Sequence, residues 1–135
     1  MLDSIWHINA KNFDVAAFVE KFKLQNLTQT YIEGELGKQG KVNETSGFSV
    51  LVSENLNSSQ NIQEIESFIL NNAEAFLHLK RLDIGSFIDI GCTVGTSDQF
   101  TKSINVPVGL LGLLFKYEIE LEFSAYPASD QESEG

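Results

Sequence analysis

Two histidines, one cysteine and nineteen carboxylates are the side chains of this 135-residue chain that could hold a metal or move a proton. A zinc site asks for three or four His, Cys or carboxylate ligands. His7 and His78 are far apart in the chain and show no HxxxH or HExxH spacing. Cys92 is alone, so neither an internal disulfide nor a cysteine cluster can form. It sits in the apolar run Ile88-Asp89-Ile90-Gly91-Cys92-Thr93-Val94, with no flanking base to activate the thiol, which reads as a buried structural cysteine. No GxSxG elbow, GxGxxG loop or DxDxDG calcium loop occurs. The segment Gly34–Lys41 has the look of a phosphate loop, but its spacing is wrong and Val42 stands where Ser or Thr should bind magnesium. It also leads into a strand, whereas such a loop opens a helix. The chain therefore reads as a non-enzyme that needs no cofactor and no metal.

The carboxylates remain. Nine Lys and Arg against nineteen Asp and Glu give a net charge of −10. Phosphate surfaces are gripped by Lys and Arg, so this balance excludes nucleic acid as a partner and favours something basic. The excess is uneven: residues 1–42 hold five bases and five acids, and residues 43–135 hold four bases and fourteen acids. Three acids fall in 128–135, which reads as an acidic disordered tail behind a single domain of residues 1–127. Three more alternate in Glu118-Ile-Glu-Leu-Glu122. Residues i and i+2 share one face of a strand at a spacing of ~6.5–7 Å, so Glu118, Glu120 and Glu122 read as a stripe. A pair of carboxylates at that separation can do acid–base chemistry, but no sugar-binding aromatic cluster accompanies it. The stripe reads either as a solvated sheet face or as a docking surface. By strand parity Asp89, Glu33 and Glu35 are candidates to join it. Proteins with basic active sites, above all nucleases, are the partners such a surface selects.

These side chains need elements to carry them. Trp6, Ile8 and Ala10 alternate with His7 and Asn9 in a first strand, Ile5–Ala10. Val15, Phe18, Val19 and Phe22 repeat at helical spacing behind Asn12 as the N-cap. Leu27–Glu35 and the Phe48, Val50, Val52 alternation form a hairpin around Gly37–Gly40. One long helix over roughly 60–80, capped by Ser58 or Ser59, carries Ile62, Ile65, Ile69, Ala73, Phe76 and Leu77. A strand from Gly85 follows, then a short edge strand within 99–105. Val106–Phe115 is read as a short buried helix after Pro107, and Glu118–Phe123 as the closing strand. The longest apolar run has ten residues, about half a membrane span, and the N-terminus lacks a signal-peptide pattern, so a cytoplasmic location is expected. The order β-α-β-β-α-β, then α and β, predicts an α+β fold: a ferredoxin-like split βαβ with an antiparallel sheet, two main helices on one face, a short third helix and a closing strand. The helix-covered face should bury Trp6, Ile8, Ile88, Ile90, Ile119, Leu121 and Phe123.

With Gly34-Glu35, Gly40-Lys41, Ser46-Gly47-Phe48, Ile84-Gly85 and Tyr117–Tyr126 in this order, the chain resembles a bacterial domain of unknown function, family forty-two seventy-nine. The resemblance spans residues 4–126 and extends to immunity proteins of polymorphic or contact-dependent toxin systems. It implies an immunity protein that binds the catalytic domain of its cognate toxin in the cytoplasm. The competing reading is a small-molecule-binding or regulatory module without catalytic activity.

Overall fold

Alternation in the first strand organises the rest. In β1 (Leu2–Ala10), Leu2, Ser4, Trp6 and Ile8 are buried, while Asp3, Ile5, His7 and Asn9 turn to the other side. The computed structural model describes residues 1–94 and 103–127. Among these the order continues with α1 (Val15–Phe22), β2 (Leu27–Tyr31), β3 (Ser46–Asn55), α2 (Ser58–Asn71), α3 (Ala73–Arg81), β4 (Ser86–Val94), α4 (Val108–Lys116) and β5 (Ile119–Pro127). The five strands form one sheet in the order β2-β3-β1-β4-β5, and the architecture is α+β. No helix of the described residues is long and apolar enough to cross a membrane.

The sheet is mixed, which corrects the expectation of an antiparallel one. β2–β3, β3–β1 and β1–β4 pair antiparallel, but β4 and β5 run parallel, from Ser86 opposite Ile119 to Val94 opposite Pro127. The reason is α4. Parallel neighbours need a crossover connection, and α4 carries the chain back along the sheet before β5 begins.

Trp6 sits at the middle of the core. Its ring meets Phe48 edge-on at 5.4 Å, Phe68 of α2 at 5.6 Å and Phe76 of α3 at 4.6 Å. Phe18 of α1 lies 5.8 Å from Phe48, and Leu110 and Leu114 of α4 close the same layer. All the helices described therefore cover one face. Apart from Phe68, which is half-buried, each of these side chains is withdrawn from water and contributes about 1.5–3 kcal/mol. Of the residues expected in this layer, Trp6, Ile8, Ile88, Ile90 and Ile119 are buried and Leu121 is half-buried, but Phe123 stays 53% exposed. It lies on an edge strand, with no further strand outside it among the described residues.

Local signals shift several boundaries. The single long helix is two, because Asn72 leaves helical geometry (φ −116°, ψ 25°) and its amide donates back to Phe68 O at 2.9 Å. The α2 cap is Asn57, whose side chain accepts from Gln60 N, in place of Ser58 or Ser59. Asp14, not Asn12, caps α1 by accepting from Ala17 N; Asn12 has φ +56° and belongs to the preceding turn. The hairpin is shorter than expected on its first strand. Its tip folds through Gly40 (φ +77°), with Gly37 N donating to Lys41 O at 2.7 Å. The expected edge strand and the acidic tail fall largely or wholly outside the described residues.

One polar cluster crosses the core. Asn61 of α2 is buried; it accepts from Ser4 Oγ of β1 at 2.5 Å and donates to Ser53 Oγ of β3 at 3.0 Å. Asn61→Ala strands the buried Ser4 hydroxyl, while Ser53 Oγ still accepts from Asn55 Nδ2 at 3.1 Å, and should cost about 2 kcal/mol in urea unfolding. Adding Ser4→Ala and Ser53→Ala to that variant should recover part of the loss. A single-variant cost within experimental error of zero would mean that the cluster does not tie α2 to the sheet.

Candidate functional site

The face of the sheet that carries no helix displays every second residue of its five strands. Register places Gln29, Ser49, His7, Phe87 and Glu120 in one row across it. The next row runs Leu51, Ile5, Asp89, Glu122, and the one beyond it Glu54, Asp3, Gly91, Ser124. Ile5, Leu51 and Phe87 make a half-buried apolar centre. Asp89, Glu120 and Glu122 gather on the β4–β5 side, with Asp3 and Glu54 completing an acidic margin. Nine Lys and Arg occur in the chain, yet none lies in any of the five strands. Uncompensated negative charge is thus built into the sheet itself.

Two glycines shape the face. A side chain at Gly91 would collide with the Tyr126 ring, whose nearest carbon lies 2.8 Å from the place a Cβ would take. At Gly47 the Tyr31 hydroxyl stands 2.5 Å from the corresponding place. Each outer strand therefore lays a tyrosine inward over a glycine of its neighbour, which gives the face an aromatic patch at both ends.

The positions of the expected site residues divide. Asp89 and Glu122 are direct neighbours on paired strands, ~4.8 Å apart along the hydrogen-bonding direction, and Glu120 is one row away. Ser124 Oγ donates to Asp89 at 2.8 Å to one oxygen and 3.0 Å to the other, which fixes that carboxylate. Glu118 does not belong to the stripe. It adopts φ +56° in the turn after α4, ahead of β5, and its carboxylate lies 3.9 Å from Lys80 Nζ. Alternation in sequence has no meaning across a left-handed residue, so the expected three-carboxylate line holds two. Glu33 and Glu35 also lie elsewhere. They follow β2 at the opposite edge of the sheet, where Glu33 accepts from Asn12 N at 3.1 Å.

His7 is the titratable group at the centre of the face. Its Nδ1 and Ser49 Oγ share a hydrogen bond of 2.7 Å, and its ring stacks on Phe87 at 4.8 Å. Partial burial pushes its pKa below the ordinary 6.5, opposed by the charges of Asp89 and Glu122. Ser49 is buried, so the pair reads as a positioning contact. His78 lies on the helical side against Phe18 and Phe22; desolvation, then Lys21 and Arg81, lower its pKa. Cys92 is half-buried on the core side of β4. Among the described residues no three His, Cys, Asp or Glu converge as a metal cage. Clefts open to solvent lie beside the hairpin tip and between α4 and β5.

Asp3, Glu54, Tyr31, Tyr126 and the His7–Ser49 bond were not foreseen. Parity could have exposed Asp3, but Ser4 breaks the apolar pattern at the start of β1 and hid the strand's true length. Comparison with protein-family models, with curated proteins and with solved structures finds no match to this chain.

A histidine whose folded pKa lies below its unfolded value binds its proton more readily in the unfolded chain. Its contribution to stability is therefore lost as pH falls through the unfolded value of 6.5 and below. Relative to His7→Gln, the native chain should lose stability between pH 7.5 and 5 in denaturant unfolding. NMR titration should place the His7 midpoint below 6.5, and Asp89→Asn should lower it further by removing a charge that raises it. A midpoint above 6.5 would mean that the carboxylates outweigh burial.

Proposed function

We propose that this chain is a non-catalytic protein inhibitor of the immunity-protein kind. In this reading it binds the basic catalytic domain of a cognate bacterial toxin, a nuclease by preference, in the cytoplasm. The observation that carries the reading is the helix-free sheet face, where Asp89, Glu120 and Glu122 stand beside an apolar centre with no Lys or Arg in any strand. An apolar centre with a charged margin is the composition of a protein interface, and a field of one sign speeds association with a partner of the other. A nuclease groove, shaped to hold phosphate, supplies that opposite sign. We read the four strands β2-β3-β1-β4, with their antiparallel pairs and the helices on one face, as a ferredoxin-like split βαβ extended by α4 and β5. That reading leaves the opposite face free for docking.

The test is binding kinetics with the toxin catalytic domain encoded next to this chain. Asp89→Lys/Glu122→Lys should slow association about tenfold or more at low salt. Glu35→Lys/Glu44→Lys makes the same change in net charge at the opposite edge and should leave the rate within about twofold. Equal effects from both pairs would assign the rate to net charge alone. No binding at moderate salt would reject the inhibitor reading.

A further inference from the structure

Strand β5 is an outer strand of the sheet, and its free edge meets no other strand among the described residues. Natural edges are commonly blunted by lysine, proline or a bulge. β5 carries no lysine; its charges are Glu120 and Glu122, its proline is confined to the last position, Pro127, and its pairing with β4 runs without a register shift. The flank of this edge on the helical side is apolar and uncovered: Phe123 is 53% exposed, Leu111 50% and Phe115 87%. On α4, Leu110 and Leu114 face the core and Gly109 faces Glu66 of α2. At 100° per residue, Leu111 and Phe115 then point away from α2, toward the β5 edge.

We propose that this edge pairs with the same edge of a second copy of the chain, antiparallel, about a two-fold axis at Phe123. Ile119 and Pro127 are equidistant from Phe123, so the whole of β5 is matched. In that register Glu120 faces Tyr126 of the other copy, Glu122 faces Ser124, Leu121 faces Ala125, and Phe123 faces its own equivalent. No carboxylate opposes another, whereas centring the axis on Leu121 would set Glu120 against Glu122, a destabilising pair. Two strands of this length, with Leu111, Phe115 and Phe123 from each copy, cover roughly the 1,200 Å² at which specific interfaces begin. Glu120, Glu122 and Tyr126 belong to both this edge and the sheet face, but edge pairing uses the backbone of β5 and the face uses its side chains, so the two readings are tested separately.

Sedimentation equilibrium of the full chain from about 1 to about 100 µM tests this. The mass should rise toward twice 15.0 kDa. Phe115→Lys/Phe123→Lys, which alters only exposed positions, should raise the dissociation constant at least about tenfold while the circular dichroism spectrum stays native. In a Cys92→Ala background, Phe123→Cys should form an intermolecular disulfide on oxidation, since directly opposed strand residues lie ~4.5–5.5 Å apart. A monomer at every concentration would assign the edge to a different protein and overturn the proposal. A dimer untouched by the lysine pair, or one in which the Phe123→Cys variant stays reduced, would overturn it equally.

Discussion

The packing of Trp6 is the constraint on which the rest depends. It lies on β1, which has neighbours on both sides in the sheet, and three phenylalanines from β3, α2 and α3 close around it. Its indole N–H has no hydrogen-bond partner among the described residues, a loss of about 1–3 kcal/mol that the aromatic cage must offset. A shift of one residue in β1 would turn Trp6 to solvent and His7 into the core. The same parity that buries Trp6 therefore exposes Ile5 and His7. The helix-free candidate face is a consequence of the core, fixed by the identity of one side chain.

How much of this was legible in the sequence follows from which residues obey a simple period. β1, β3, β4 and the helices announce themselves because each carries an apolar set at spacing two or 3.6. Strand order is harder, since pairing partners leave little trace in composition. The parallel pairing of β5 depends on the path of α4, a tertiary fact. Glu118 shows the limit most sharply. Its spacing from Glu120 fits a strand, yet a single left-handed residue at the end of α4 breaks the alternation before the strand begins. Glu33 and Glu35 fail for a different reason. They lie beyond β2, and only the strand order puts the whole width of the sheet between them and Asp89.

What remains of the acidic stripe is smaller but better held. Asp89 is fixed by two contacts from Ser124, so it loses little side-chain freedom on meeting a cation. Glu120 and Glu122 are exposed, so their repulsion is screened in the free chain and costs little. Burial under a partner removes that screening, and the same charges then interact far more strongly with whatever faces them. This asymmetry makes the face tolerant alone and selective when covered. A neutral or acidic partner would be penalised by carboxylates it cannot satisfy, and a basic one would not.

The two tyrosines refine the kind of contact the face can make. Tyr31 and Tyr126 reach inward over Gly47 and Gly91, so an aromatic ring covers the backbone at each of these two places. Either glycine bearing a side chain would lift its tyrosine off the sheet. Tyr126 is two rows from Asp89 and Glu122, but its ring reaches back over Gly91 in the intervening row, where a guanidinium paired with either carboxylate could also stack on it. Lysine, a compact point charge, would use the carboxylates and little else. In the proposed docking role, the face would therefore discriminate within basic partners and favour those that present arginine.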